Sequence, residues 1–357
     1  MRTTWKPVLG LLFLAPLVGE FLLGNVTIRD IGALILLAPL YGGGALVIRE
    51  VARRTGKGRP TILALGLAYG IVEAGVIDGS LFSASYEGVD YNAVRIPVLG
   101  VSAFYALQFV INHAVWSISI PIVLTETLAP RHRTTPWLGR AGLAVIAAVY
   151  LAGALLIRLD SVRSGESHVT GMQTAGVILV ALVLIAIAFT LPAPSIGIPP
   201  EPATHTLPEP ATHTLPEPAT HTLVEPATRA RAGWVPRPWL VGVAAFALSS
   251  AYFALPATWH GVAWTVKIVV LTIWLVSRFS RRDGWQTRHQ VALAAGALGT
   301  YAWAGFLLTG IKHDADPVAF AGNAVFTVGG IALVGVAFRG RRTVTGATQE
   351  VESSRKA

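Results

Sequence analysis

The run Thr61-Ile-Leu-Ala-Leu-Gly-Leu-Ala-Tyr-Gly-Ile-Val-Glu-Ala-Gly-Val-Ile-Asp-Gly79 carries no charge except Glu73 and, at its end, Asp78. About 20 such residues, at ~1.5 Å each, cross the ~30 Å hydrocarbon core of a bilayer. The run therefore reads as a transmembrane helix with a carboxylate inside it. A charge in hydrocarbon costs at least ~2.5–3.5 kcal/mol, so such a residue faces a cavity or a partner. Working outward, similar runs recur along the chain. They are Val8–Gly24, Ile31–Ile48, Val98–Leu128, Leu138–Ile157 and Met172–Leu191, then Trp239–Leu255, Val262–Val276, Val291–Thr309 and Val318–Phe338. The expectation is an all-α polytopic integral membrane protein of about ten transmembrane helices, six plus four. The fourth run is overlong, which predicts a tilt or a break near Pro121.

Composition agrees with a membrane protein. Of 357 residues, 53% are apolar and only 13% charged, against roughly a quarter charged in soluble domains. There is no cysteine, so disulfides and thiolate metal sites are excluded. The net charge of +9 is spread over short connections between apolar runs. That is the pattern that orients membrane helices, and it argues against nucleic acid as a partner. Arg2 and Lys6 before Val8–Gly24 resemble a signal peptide. No small-x-small cleavage site follows and Glu20 interrupts the run, so it reads as an uncleaved first helix.

Charge on the connections alternates at every crossing. One set holds Arg2 and Lys6, then Arg49, Arg53, Arg54, Lys57 and Arg59, and continues through Arg131 to Arg140, Arg229 to Arg237, Arg278 to Arg288 and Arg339 to Arg342. The other holds only Arg29, Arg95, Arg158, Arg163 and Lys312, with Asp30, Asp90, Asp160, Asp314 and Asp316 beside them. Both termini are expected in the cytoplasm. Trp5, Trp137, Trp239, Trp259 and Trp285 fall near span ends, where interfacial aromatics sit. The expected organisation is a six-helix membrane domain (1–191), a linker (192–238), a four-helix membrane domain (239–340) and a disordered tail (341–357). The linker repeats Glu-Pro-Ala-Thr-His-Thr-Leu-Pro from Glu201, Glu209 and Glu217, and proline at that density predicts an extended or disordered cytoplasmic connector. Its His205, His213 and His221 could touch a metal, or they are the product of spacer duplication.

The candidate site residues follow from depth. Glu20, Glu73, His113 and Lys267 are ionisable residues inside spans, joined by Asp78 at a helix mouth and by Asn112 and Asn323. Glu20, Glu73, Asp78, Lys267 and Asn323 fall in the outer half, with His113 nearer the midplane. The simplest reading is a polar pocket open to the outside. Phe109, His113 and Ser117 share one helix face, and Tyr69 and Glu73 share another with Gly66 and Gly70. A carboxylate and an imidazole on adjacent helices can bind a metal, activate water or relay protons. Equally, Glu73 or Glu20 can pair with Lys267 as a structural clamp. Arg49, Glu50 and Glu126 read as interfacial. The echo of Leu14-Ala15-Pro16-Leu17 in Leu37-Ala38-Pro39-Leu40 predicts two kinked helices, the second running into Gly42-Gly43-Gly44. No HExxH, GxSxG, P-loop or dinucleotide motif is present, no strands are expected, and no cofactor or metal is assigned.

The stretches Leu40 to Glu50, Gly70 to Gly75 and Asn112 to Ile118 resemble a family of uncharacterised multi-pass membrane proteins of high-GC bacteria, which implies an inner-membrane location and no particular activity. Phe109-Val-Ile-Asn-His113, preceded by Glu73, is also similar to the FxxxH pattern of intramembrane glutamate peptidases of the CAAX-processing and bacteriocin-immunity type. Ala15 to Glu20 resembles that family's first motif. The resemblance implies Glu73 and His113 as catalytic residues. The chain departs from it at Ala74, where a second glutamate would stand, and at Asp78, where an arginine would. The third motif is absent, since His168 falls in an outer loop.

Three functions fit these features. The first is a transporter or permease with an outward-facing polar pocket, in which Glu20, Asp78, Asn112, Lys267 and Asn323 bind a small solute and Glu73, Glu20 and Lys267 bind it or couple it to an ion. The others are a Glu73/His113 intramembrane enzyme acting on a peptide, and a structural or immunity-like membrane protein. Glu73 close to His113 with Lys267 elsewhere favours water or metal activation; Lys267 against a glutamate favours the clamp. A reporter domain inserted into the 192–238 linker is expected to read the same side of the membrane as one at either terminus. A reading from the opposite side overturns the ten-span topology.

Overall fold

In the computed structural model, residues 4–86, 89–165, 167–192 and 233–339 are described. The linker histidines His205, His213 and His221 and the 341–357 tail lie outside them. Among the described residues, ten apolar helical segments follow the expected runs. We number them α1 (residues 5–21), α2 (Ile28–Arg54), α3 (Arg59–Ile77), α4 (Ala103–Leu128), α5 (Arg140–Arg163), α6 (Gly171–Thr190), α7 (Pro238–Phe253), α8 (Trp259–Ser280), α9 (Thr287–Lys312) and α10 (Pro317–Arg339). Eight are long and apolar enough to cross a membrane; α1 and α7 are shorter. The chain is thus a predominantly helical integral membrane protein.

Two departures from the expected elements lie together. The α3–α4 connection contains two small antiparallel pairs, β1 (Ser85–Tyr86) with β2 (Val89–Asp90), and β3 (Arg95–Ile96) with β4 (Val101–Ser102). Strands were not expected there. Residues 98–102 belong to this turn, and α4 starts only at Ala103, capped by the Ser102 hydroxyl accepting from the Tyr105 N–H. Gly100, at φ +70°, and Pro97 are what a tight reversal needs and what a helix excludes. The irregularity in α4 precedes Pro121: a π-turn spans His113–Ser119. Proline has no N–H to donate to the preceding turn, and the helix widens there.

The core is built by α1, α2, α3, α4 and α9. Leu11, Leu40, Leu46, Ile118, Ile122 and Leu124 pack among these helices, and Tyr301 of α9 stacks on Trp116 of α4 at 4.6 Å between ring centres. Close approach depends on small residues. A methyl group on Gly42 would lie 1.9 Å from the Leu12 carbonyl oxygen, so α2 crosses α1 only because this position is glycine. Helices α5, α6, α8 and α10 form the periphery and expose leucine, valine, isoleucine and tryptophan outward, as a lipid-facing surface requires.

At the face holding the end of α2, the connection 129–139 folds over a charged cluster. Arg49, Glu50 and Glu126 are fully buried, which corrects the expectation that they are interfacial. Arg49 bonds Glu50 at 2.7 Å and Glu126 at 3.1 Å, and donates to the carbonyls of His132, Arg133 and Thr135. Its guanidinium lies 3.3 Å from the centre of the Trp137 ring, and Trp137 is buried rather than interfacial. Arg53 grips Glu126 through two nitrogens at 2.7 and 2.8 Å. Glu50 accepts the backbone N–H groups of Trp137 and Leu138. Each carboxylate oxygen of Glu50 and Glu126 has a nitrogen partner, which is the condition under which buried charge is tolerated. On the opposite face Arg29 and Asp316 pair at 2.6 Å. That bond holds the Asp316 carboxyl down, to about 2.

Glu126→Ala leaves Arg49 and Arg53 without their shared carboxylate. It is expected to destabilise the protein by about 3–5 kcal/mol, read as an early thermal unfolding transition in detergent. An unchanged transition would show the cluster to be dispensable.

Candidate functional site

Four helices each carry a π-turn, and the four π-turns meet. They are Leu17–Phe21 on α1, Ala38–Gly42 on α2, Glu73–Ile77 on α3 and His113–Ser119 on α4. In such a turn the N–H reaches five residues back, as Leu22 to Leu17 and Asp78 to Glu73 do here. The wider turn rotates the side chain away from the regular helix face. π-turns inside α-helices cluster at functional sites. Each of these four contributes one polar residue to a single cluster: Glu20, Tyr41, Glu73 and His113. The repeated Leu-Ala-Pro-Leu runs are the sequence origin of the first two. Pro16 directly precedes one π-turn and Pro39 lies inside the other.

The cluster is a chain of contacts. The Tyr41 hydroxyl donates to Glu20 Oε1 at 2.5 Å and lies 3.4 Å from His113 Nε2. That same Nε2 is 2.9 Å from Glu73 Oε2. On the other side of the ring, His113 Nδ1 is 2.7 Å from the Phe109 carbonyl oxygen. A carbonyl only accepts, so Nδ1 carries a proton. The single Tyr41 hydrogen is committed to Glu20. His113 Nε2 is left facing Glu73. Glu73 is buried, and its Oε2 sits at ion-pair distance from the imidazole but off the hydrogen-bond axis. It retains unused accepting capacity aimed at the site.

Packing fixes this geometry. A methyl group on Gly70 would lie 2.8 Å from the Val110 carbonyl oxygen and 3.0 Å from His113 Cβ, so glycine there lets α3 approach α4 closely enough for Glu73 to reach the ring. Tyr41 stacks on His113 at 5.8 Å, and Tyr69 lies 6.1 Å from it, with Tyr150 of α5 behind Tyr69. These rings keep the imidazole in one orientation.

The remaining candidates distribute as follows. Asp78 stands at the end of α3, half-buried, and accepts the Ser80 N–H at 2.9 Å. Asn112 turns toward α7, where its Oδ1 accepts from the Tyr252 hydroxyl at 3.1 Å. Asn323 is buried on α10 and donates to Thr309 Oγ1 at 2.6 Å. Lys267 does not join Glu20 or Glu73. It is exposed on the outer side of α8, with its ammonium 4.5 Å from the centre of the Trp264 ring. The packed face of α8 is marked by buried Gly261 and Thr265, and Lys267 falls off that face. The expected clamp between Lys267 and a glutamate is therefore absent. A different cation approaches Glu20: Lys312 donates to Asn25 Oδ1 at 3.2 Å, and Asn25 donates to Glu20 Oε2 at 3.1 Å. Tyr41, Asn25 and Lys312 were missed in the sequence. For Tyr41 a signal existed, two residues after the proline of a repeated motif. Among the described residues no group of three or more acidic or imidazole side chains is arranged to hold a metal ion.

Helices α2 to α9 and this site lie within the region that matches a family model, residues 9–320, which ends at the start of α10. The chain belongs to the Uncharacterized membrane protein family. The match runs from the start of α1 to the start of α10 and so takes in all four π-turns. No curated protein and no solved structure matches the chain.

Tyr41→Phe removes the donor to the half-buried Glu20. It is expected to lower stability by about 1–3 kcal/mol, while Tyr69→Phe, whose hydroxyl makes only a 3.4 Å bond to the Leu40 carbonyl, costs less. Thermal unfolding in detergent compares the two, and an equal or reversed order would contradict the assigned donor roles.

Proposed function

We propose that Glu73 and His113 form an acid–base pair inside the membrane that activates water to hydrolyse a peptide or similar acyl substrate. The observation that carries this reading is the 2.9 Å contact between Glu73 Oε2 and His113 Nε2, with Lys267 exposed over Trp264 on α8. In the proposed step Glu73 takes a proton from water and the water oxygen bonds to the substrate carbonyl carbon. As the tetrahedral intermediate collapses, the leaving atom takes the proton from His113 Nε2. Glu73 then returns its proton to the ring, and the pair is restored. The Phe109 carbonyl holds the imidazole in the orientation this exchange needs. The similarity of Phe109 to His113 to intramembrane glutamate peptidases supports the same chemistry. In this chain Glu20, delivered by α1 and tied to the ring through Tyr41, supplies the second carboxylate that Ala74 lacks.

A second reading rests on a separate observation. Lys312, Asn25, Glu20, Tyr41, His113 and Glu73 form an unbroken series of polar contacts leading inward from the opposite face. Such a series suits proton-coupled movement of a small solute. In either case the basic face, with the termini, is taken as the cytoplasmic side of a bacterial inner membrane on the positive-residue bias.

The test is hydrolysis of a hydrophobic peptide mixture by the protein in nanodiscs, in water enriched in oxygen-18. Products are expected to carry the label in their new carboxyl groups, and Glu73→Gln and His113→Ala are expected to reduce labelling by about 10²-fold or more. Unlabelled peptides, together with solute-driven proton entry into proteoliposomes that Glu73→Gln abolishes, would replace hydrolysis by transport. Loss of neither function in the two variants would leave the pair a helix clamp.

A further inference from the structure

Lys267 is left with a physical problem. It lies about 12 Å along α8 from the end that begins at Trp259, at ~1.5 Å per residue, on a helix almost none of whose apolar length is buried. Its ammonium points back toward that end, over Trp264, yet no carboxylate meets it among the described residues. A cation exposed to hydrocarbon needs an anionic partner.

Helix α5 is equally exposed along its apolar length. Near its end on the same face of the protein it exposes Asp160, which likewise has no ion pair among the described residues. The two helices run in opposite directions across the membrane, so their residues can be matched by depth. Lys267 reaches toward the level of Asp160. Below them, Leu271 and Ala152 both lie about 17–18 Å from that end, and Trp274 and Ala148 both about 22 Å. Leu271 and Trp274 are large and exposed; Ala148 and Ala152 are small, exposed and four residues apart. Small residues at that spacing let another helix approach closely. Within one chain the helices pack on different neighbours, α5 on α2 and α3, and α8 on α4 and α7.

We propose that α8 of one copy packs against α5 of a second copy, with Lys267 paired to Asp160 and with Leu271 and Trp274 seated over Ala152 and Ala148. The two surfaces differ, so the contact is head-to-tail, and repeated around an axis it closes a ring.

The chain has no cysteine, so introduced thiols report contacts without background. Ala152→Cys and Leu271→Cys are placed in two differently tagged full-length chains, co-expressed and oxidised in native membranes. A disulfide-linked species carrying both tags is expected, and neither variant alone is expected to cross-link to itself. Lys267→Glu added to the Leu271→Cys chain is expected to lower the yield about tenfold, and Asp160→Lys in the other chain to restore it. Counting fluorescently tagged, otherwise unaltered chains in vesicles gives a cysteine-free measure, expected to exceed one copy per complex. Single copies, or a yield indifferent to the charge at position 267, overturn the proposal. A yield or copy number that follows phosphatidylglycerol content and ignores residue 160 also overturns it, and assigns Lys267 to a lipid phosphate.

Discussion

A carboxylate cannot remain alone in a bilayer, and the contact between Glu73 and His113 is how this fold meets that constraint. The rest of the inner bundle is arranged around it. Glycine at position 70 brings α3 against α4, and the Phe109 carbonyl sets the ring. The π-turns bring Glu20 and Tyr41 in from α1 and α2. Replacing the pair by apolar residues would leave four widened helical turns with no reason to be wide. The irregular backbone and the buried charge are one feature, since a regular helix would direct these side chains elsewhere.

The two faces of the bundle are secured by different means. On the basic face a continuous charged cluster is sealed under the 129–139 connection and Trp137. On the other, α1 and α2 are tied to α9 and the α9–α10 connection by Arg29 with Asp316, Lys312 with Asn25, and His313 Nε2 within 3.1 Å of the Gly24 carbonyl oxygen. These latter contacts involve exposed or half-buried groups at helix ends. Solvent competes with them more readily than with the buried cluster. The site therefore lies between a rigid floor and a looser rim.

The spans were legible because hydrocarbon imposes a length and a composition that few other environments do. Glu20, Glu73 and His113 were legible for the same reason, as charges where none belongs. Tyr41 was not, because a tyrosine in an apolar run carries no such anomaly; only its proline neighbour hinted at it. Lys267 was expected to face Glu20 or Glu73, and it is exposed beside Trp264 instead. Depth follows from counting residues, whereas direction depends on which face packs, and that face is marked only by modest Gly261 and Thr265. Arg49, Glu50 and Glu126 were read as interfacial because a charged helix end normally is. Nothing in the residues 129–139 themselves announces that they fold over it.

That fold-over has a consequence for how the protein is made. The acceptors of Arg49 come from far along the chain: Glu126 is 77 residues later, and the carbonyls of His132 and Thr135 are 83 and 86 residues later. Among the acceptors of Arg49, only the adjacent Glu50 exists when α2 leaves the ribosome. Its basic end must wait in water or among lipid headgroups until the connection after α4 has been synthesised. Only then can the cluster close. The cluster thus makes the seating of the α2 end depend on α4 and on the connection that follows it.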